Sequence, residues 1–241
     1  MNRLLILLLL PAFFGMSCSK GKKINYTLGA VYDSTIATNN QVIVTVTKVG
    51  GDDDLVNLSV AGLPDYMTAD ISPLSGNPPY TAVITFKLSY YAERNVSNWT
   101  NYKITVNGLS GSSVTRTCDV TFLYTPADAA VAFDGHTFYS AEQCSMSGNN
   151  GWSVPMISQG PNQLTLVGFY SNFTTTFDVP AVVNGKNRTI TIPQYTVSGY
   201  TFRGTGTFYA VGGDSVGCSI HFSRTTLGSF DTCTTIITEV Y

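Results

Sequence analysis

The chain has 241 residues, of which 13 are Lys or Arg and 15 are Asp or Glu, so its formal net charge is −2. Charged residues make up only 12 % of the sequence, and no basic cluster suits a phosphate backbone, which argues against nucleic acid as a partner. Thr, Ser, Asn, Gly and aromatic residues dominate the remainder. That mixture is typical of exported, β-rich proteins.

The first segment of the chain predicts export and attachment to a lipid. Arg3 precedes the apolar run Leu4 to Phe14, which is shorter than the roughly 18 residues of a membrane span but fits the ~7–15 residues of a secretory signal. Gly15 and Ser17 then lead to Cys18. This arrangement resembles a bacterial lipoprotein signal, in which the cysteine is acylated and becomes the new N-terminus. An ordinary secretory signal cut nearby is the alternative, since Gly15 and Met16 stand where lipoprotein signals usually have leucine and a small residue.

These features predict a location in the cell envelope. Residues 1–17 would form the signal peptide and residues 18–24 a lipid-anchored linker. Acyl chains on Cys18 would hold the protein on a membrane, the outer membrane being the expected one, without a spanning helix. Lys20, Lys22 and Lys23 follow directly and favour either a periplasm-facing site or interaction with anionic lipid head groups.

The first half of the chain has the period-two alternation of β-strands. Apolar residues occupy every second position in "QVIVTVTK", "TAVITFKLS" and "NYKITVNG", and about seven such segments over residues 25–125 predict a β-sandwich. The turn Gly62-Leu63-Pro64, the segment Ser72 to Gly76 and the strand Tyr102 to Gly108 resemble those of bacterial immunoglobulin-like domains. The resemblance implies a spacer or adhesive module and specifies no activity.

A second all-β domain is predicted over residues 131–241, after the boundary segment "TPADAA". Eight strand candidates there predict a small antiparallel β-barrel. The phrases "PNQLTLVGF", "TITIPQ", "GTGTF" and "DTC" resemble lipocalin-like barrels of Bacteroidota lipoproteins, a resemblance that implies a fold and no site residue. Gly204 and Gly206 share one strand face with Phe202 and Phe208, which predicts a sharply curved strand.

Four cysteines remain once Cys18 is assigned to the lipid. An exported chain can form disulfides, and four cysteines allow three pairings. Cys118 and Cys218 alternate with apolar strand residues, so we expect buried thiols at both positions. Cys144 and Cys233 lie near the two ends of the second half. We predict that they form a disulfide joining its first strand to its last.

Aromatic side chains are the candidate ligand-binding residues. If the eight strands run up and down in chain order, Trp152, Tyr170, Tyr195 and Tyr200 fall at alternate connections and share one end of the barrel. Beside amides such as Asn150, and with few charges close by, these rings would suit a neutral glycan or a small apolar ligand. Packing of the same rings within the barrel is the alternative.

No pattern in the sequence predicts catalysis, a metal or a cofactor. His136 is expected in a turn and His221 on an exposed strand face, and neither has a partner at zinc-ligand spacing. Gly204-x-Gly206 lacks the lysine and helix of a phosphate loop. The nucleophile pattern Gly-x-Ser-x-Gly does not occur. We therefore expect a non-enzymatic protein without a bound metal or cofactor.

Two functional hypotheses follow from these predictions. In the first, the protein is a binding module of the cell envelope whose barrel holds a neutral glycan or a small apolar ligand. In the second, both domains are a structural scaffold that contacts other envelope proteins and holds no small ligand. An open cavity of roughly 300 Å³ or more, lined by aromatic residues, would favour the first hypothesis, and a filled barrel would favour the second.

Overall fold

The computed structural model describes residues 21–32, 40–134, 136–171, 176–212 and 215–239. In these ranges the chain is all-β: a sandwich of two sheets is followed by one large curled sheet. Cys18 and the predicted signal peptide 1–17 lie outside the described residues. The fold class is therefore the one predicted from the alternating apolar residues.

Two four-stranded antiparallel sheets form the sandwich, with strand orders β1-β2-β6-β4 and β5-β3-β7-β8. Their inward faces carry the predicted alternating residues, and the ring of Phe86 stacks on Phe122 across the sandwich with centroids 4.1 Å apart. The strands are β1 (Asn25–Tyr32), β2 (Gln41–Gly50), β3 (Val56–Ala61), β4 (Met67–Ser72), β5 (Ser75–Gly76), β6 (Tyr80–Leu88), β7 (Asn101–Ser110) and β8 (Thr115–Leu123).

The N-terminal segment and the second domain lie at opposite ends of the sandwich. Strand β2 begins beside Asn40, whose side chain bonds the backbone of Thr125 at the start of the interdomain segment. It ends beside Asp52, whose N–H donates to the carbonyl of Lys22. Ten residues of strand between these points span roughly 30 Å. The sandwich therefore separates the N-terminal segment from the second domain.

The second domain is one antiparallel sheet of nine strands, in the order β10-β9-β17-β16-β15-β14-β13-β12-β11. Alternate residues point inward and fill the space that the sheet encloses, among them Phe208, Ile220 and Ile237, all almost fully buried. The strands are β9 (Phe138–Cys144), β10 (Gly148–Ser153), β11 (Met156–Gly160), β12 (Gln163–Ser171), β13 (Thr176–Asn184), β14 (Thr189–Val197), β15 (Tyr200–Gly212), β16 (Ser215–Thr226) and β17 (Ser229–Glu239).

The two edge strands of this sheet are halves of one bent segment. Only Val154 and Pro155 separate β10 from β11. The N–H of Val154 continues the pairing with β9 by donating to Phe138, and the carbonyl of Pro155 accepts from Val167 of β12. The bent segment thus closes the sheet near the beginning of β9. Farther from the bend, among the described residues, β10 pairs only with β9.

Several local predictions differ from the structure. The strand predicted at "EQCSMS" is shifted, because β9 ends at Cys144 and the following three residues form a turn. The segment "WSVPMIS" is the bend rather than one straight strand, since proline has no N–H to donate within a ladder. The short helix α1 (Tyr90–Arg94) was not predicted. Gly206, predicted to allow a sharp bend of its strand, lies close to the neighbouring backbone: a Cβ there would lie 2.1 Å from the carbonyl oxygen of Ser219.

The sandwich docks on one end of the curled sheet, here called the junction end, where the connections 161–162 and 185–188 lie. The Trp99 ring meets Phe208 edge to face with centroids 5.7 Å apart. The guanidinium of Arg188 donates to the carbonyls of Val96 and Trp99. His136, predicted to lie in a simple turn, is held between Arg94 of α1 and Glu239 at the end of β17. Aromatic and polar contacts together join the two domains.

Candidate functional site

The opposite end of the curled sheet, here called the open end, includes the connections 145–147, 198–199 and 227–228. Its central feature is a buried ion pair on neighbouring strands, between Arg224 of β16 and Asp231 of β17, with Nη2 and Oδ2 2.9 Å apart. The two residues directly face each other across the β16–β17 hairpin. Their side chains are 11 % and 4 % exposed, so two charged groups lie inside the barrel.

Asp231 is fully satisfied by its neighbours. Its carboxylate accepts hydrogen bonds from the hydroxyls of Ser145 and Ser147 and from the backbone N–H groups of Met146 and Ser147, in addition to Arg224. Burial opposes ionisation, but these hydrogen bonds outweigh it and lower the pKa of Asp231 to about 2. The β9–β10 turn is thereby tied to the β16–β17 hairpin.

An aromatic cluster surrounds the ion pair. The guanidinium carbon of Arg224 lies 4.2 Å from the centroid of the Tyr170 ring, a distance at which a cation and a ring attract each other. The Tyr170 ring also lies 5.8 Å from those of Tyr200 and Phe202 and 6.1 Å from that of Phe177. Tyr170 is only 9 % exposed, whereas Tyr200 is half-buried.

Glu142 is a second acidic group within the same cluster. It points inward from β9, directly opposite Thr235 of β17, and is 3 % exposed. Burial raises the pKa of Glu142 to about 7, the Arg224 charge opposes that rise, and the Asp231 charge adds to it. One carboxylate oxygen, Oε1, lies 2.9 Å from Sγ of Cys144. Because that sulfur is in a disulfide and carries no hydrogen, Glu142 has no strong donor on that side.

Three buried polar atoms of this region have no hydrogen-bond partner among the described residues. They are Oε2 of Glu142, Nη1 of Arg224 and Nε1 of Trp152. Trp152 lies on the same face as Glu142, since it stands two residues beyond Asn150, which pairs with Glu142. Such diagonal positions are roughly 7–8 Å apart. An unpaired buried polar atom typically costs about 1–3 kcal/mol, so each of these three atoms needs an explanation.

Among the described residues, the sheet leaves a gap in strand pairing beside these atoms. Asn150 and Gly148 occupy inward-facing positions on β10, yet both are exposed. Across the gap, Tyr170 and Ser171 of β12 pair with β13 and with no other described strand. A slot between β10 and the C-terminal end of β12 therefore exposes the inner face of β10 next to Glu142. We call the slot and the residues Glu142, Trp152, Tyr170, Tyr200 and Arg224 the open-end cluster.

The predicted ligand-binding aromatics are only partly brought together. Tyr170 and Tyr200 are in contact, and Tyr195 lies opposite Phe202 on the neighbouring strand. Trp152 lies within β10, opposite Ser140, and not in a rim loop. The prediction that few charges lie near these rings is wrong, because strand pairing brings Glu142, Arg224 and Asp231 into their midst. The alternation of β9 and β16 indicated inward positions, but no local feature marked these residues as functional.

The disulfide and the free thiols can be compared with their predictions. Cys144 and Cys233 are directly opposed on β9 and β17 and form a disulfide, the pairing predicted from the sequence. Cys218 is buried, as expected, and burial raises the pKa of its thiol to about 12. Cys118 is half-exposed, contrary to prediction. It lies on β8, the edge strand of its sheet, where cover is incomplete.

Other groups of polar residues offer less for a ligand. Glu142, Cys144 and Cys233 lie close enough to hold a metal, but both sulfurs are bonded to each other and present no thiolate. Two adjoining depressions of about 540 and 500 Å³ lie on the outer face of β14–β17, around exposed His221 and Thr205. Neither depression is lined by Trp152, Tyr170, Tyr195 or Tyr200.

Comparisons with known proteins add no family to the all-β fold class. No family model matches the chain, and no curated protein matches it. It is similar to a crystal structure of a structural-genomics protein of unknown function from Bacteroides ovatus, with 10 % sequence identity, 87 % coverage of each chain and a TM-score of 0.32. Among the described residues, no helix has the length and apolar character needed to cross a membrane.

Proposed function

We propose that this chain is a non-enzymatic binding module of the cell envelope, anchored through Cys18 and binding its ligand at the open-end cluster. The single observation that carries the binding role is the group of three unpaired, buried polar atoms on Glu142, Arg224 and Trp152 beside a slot in the wall. Buried polar groups are nearly always paired in folded proteins. A ligand entering the slot would supply the missing partners.

The arrangement of the domains supports this proposal. The N-terminal segment lies at the far end of the sandwich, and the junction end of the barrel is docked on the near end. An anchor at Cys18 would therefore leave the open end as the part of the molecule farthest from the membrane. In this interpretation the first domain is an immunoglobulin-like spacer and the second a lipocalin-like barrel.

The structural-scaffold hypothesis is the second candidate, and one observation favours it. Toward the junction end the barrel is filled by its own side chains. None of the five surface depressions described is lined by the four predicted aromatic residues. A ligand would thus be held at the slot and not deep in the lumen. If no small molecule binds there, the envelope-scaffold role is the better interpretation.

Ligand binding is tested by titrating the full-length protein in detergent with neutral sugars, sugar acids and a fatty acid, followed by NMR. We expect at least one class to shift the Trp152 indole N–H resonance. The Trp152→Phe variant identifies that resonance, and Trp99 at the junction end is the internal control because it already donates to a carbonyl. If no compound moves the Trp152 signal, the binding function is wrong.

The anchor is tested separately by changing Cys18 to Ser. Without acyl chains the protein should move from the membrane fraction to the soluble fraction, because each buried CH₂ contributes about 0.8 kcal/mol to membrane attachment. Cys118→Ser is the matched control, since Cys118 is a half-exposed free thiol in the sandwich. Retention of the Cys18→Ser protein in membranes would contradict the assignment.

A further inference from the structure

The unpaired atoms of the open-end cluster also indicate which ligand class it accepts, on the basis of the proposed binding function. Nη1 of Arg224 and Nε1 of Trp152 can only donate hydrogen bonds, whereas an ionised Glu142 can only accept them through Oε2. An apolar ligand would leave all three atoms unpaired. The three atoms together therefore require a ligand that offers both donors and acceptors.

The charges in the open-end cluster further narrow the class of ligand. The charged and titratable groups that interact with Glu142 are Arg224 of β16, Asp231 of β17 and Tyr170 of β12, and Tyr170 in turn interacts with Tyr200 of β15. Arg224 is already neutralised by Asp231, so the charge left over is the negative one on Glu142. An anionic ligand would be repelled by it. A neutral hydroxyl meets no such penalty, because its hydrogen can go to Glu142 while its oxygen accepts from Arg224 or Trp152.

We propose that the open-end cluster binds a neutral sugar, with one hydroxyl donating to Oε2 of Glu142 and other hydroxyls of the same ligand accepting from Nη1 of Arg224 and Nε1 of Trp152. The half-buried ring of Tyr200 offers an apolar surface for the C–H face of a pyranose. Asn150 lies exposed at the inner edge of the slot and can supply an amide to the same ligand.

The experiment uses glucose and glucuronate, which differ only in the charged group at C6, titrated into the full-length protein at pH 5.5 and pH 8.5. Glucose should bind at least about tenfold more tightly at pH 8.5, because its hydroxyl needs the ionised form of Glu142 and a hydrogen bond to a charged group is among the stronger ones. Glucuronate should bind more weakly than glucose at both pH values. Galactose and N-acetylglucosamine serve as further neutral probes.

Two variants assign the pH dependence to Glu142. Glu142→Gln keeps the size of the side chain and should lower glucose affinity about tenfold at pH 8.5 and abolish the difference between the two pH values. Gln143→Glu is the control, because Gln143 lies on the same strand but points outward and is exposed. It should leave binding unchanged. Circular dichroism checks that both variants are folded.

Each alternative outcome has a distinct meaning. If glucuronate binds more tightly than the neutral sugars, and does so best at pH 5.5, the site is an anion site: the inference is wrong and the binding function stands. The same holds if Glu142→Gln binds neutral sugars as the wild type does. If neither sugars, sugar acids nor a fatty acid perturbs the protein, the three atoms are satisfied by buried water alone, and both the inference and the binding function fail.

Discussion

Each end of the curled sheet has an arginine side chain, but the hydrogen bonds of the two arginines differ. At the junction end the guanidinium of Arg188 bonds the carbonyls of Val96 and Trp99. At the open end Nη2 of Arg224 bonds Asp231, while its buried Nη1 has no partner among the described residues. The half-buried Arg188 joins two structural elements, whereas the buried Nη1 of Arg224 keeps capacity for a ligand. This contrast, and not the number of aromatic rings, separates the structural end from the candidate binding end.

The largest expected change in the free energy of unfolding comes from removing the disulfide near the open end. The Cys144–Cys233 disulfide closes a loop of 89 residues between the first and last strands of the barrel, and the chain-entropy relation gives about 4–5 kcal/mol for a loop of that size. The double variant Cys144→Ser, Cys233→Ser should lower the free energy of unfolding by up to that amount in urea titrations. Cys118→Ser should change it little, and a double variant as stable as the wild type would contradict the expectation.

The next prediction compares the stability lost by one variant at the open end with that lost by one variant at the junction end. Asp231→Ala leaves the Arg224 charge buried and unpaired, so we expect a loss of about 3–5 kcal/mol. Arg188→Ala leaves two neutral carbonyls without their donor and should cost about 1–3 kcal/mol. Because the folded-state pKa of Asp231 is depressed to about 2, its contribution is present above pH ~4 and declines as the pH falls toward 2. Equal losses for the two variants would remove the distinction between the ends.

The smallest expected change in stability comes from Glu142, and it varies with pH in the opposite direction to the contribution of Asp231. Its pKa is raised from 4.5 to about 7 in the folded protein, so the stability linked to its protonation is fully present below pH ~4.5 and is lost as the pH rises through 7. Glu142→Gln should therefore be more stable than the wild type at pH 8.5, by roughly 2–3 kcal/mol at most, and about equal to it at pH 4.5. Thermal unfolding at the two pH values measures this, and a variant less stable at pH 8.5 would show that Glu142 is satisfied in its ionised form.

Much of the fold could be predicted from the sequence, because inward and outward residues alternate along each strand. The sandwich strands carry their apolar residues at every second position, and that period alone indicates strands with one buried face. The Cys144–Cys233 pairing was also predictable, since an up-and-down barrel places its first and last strands side by side. Where local chemistry interrupted the pattern, as at Pro155, the predicted strand was wrong.

The open-end cluster could not be predicted in the same way. Along the chain, Glu142, Tyr170, Arg224 and Asp231 are separated by as many as 89 residues, and each stands in an ordinary strand or hairpin. The sequence by itself determined which residues face inward, through the strand period. Only the tertiary structure decided that these four meet at one end, because strand register and the closing of the sheet set which inward residues share a level. The unpaired atoms arise from that same closure, which buried one polar atom each of Glu142, Arg224 and Trp152 without a partner among the described residues.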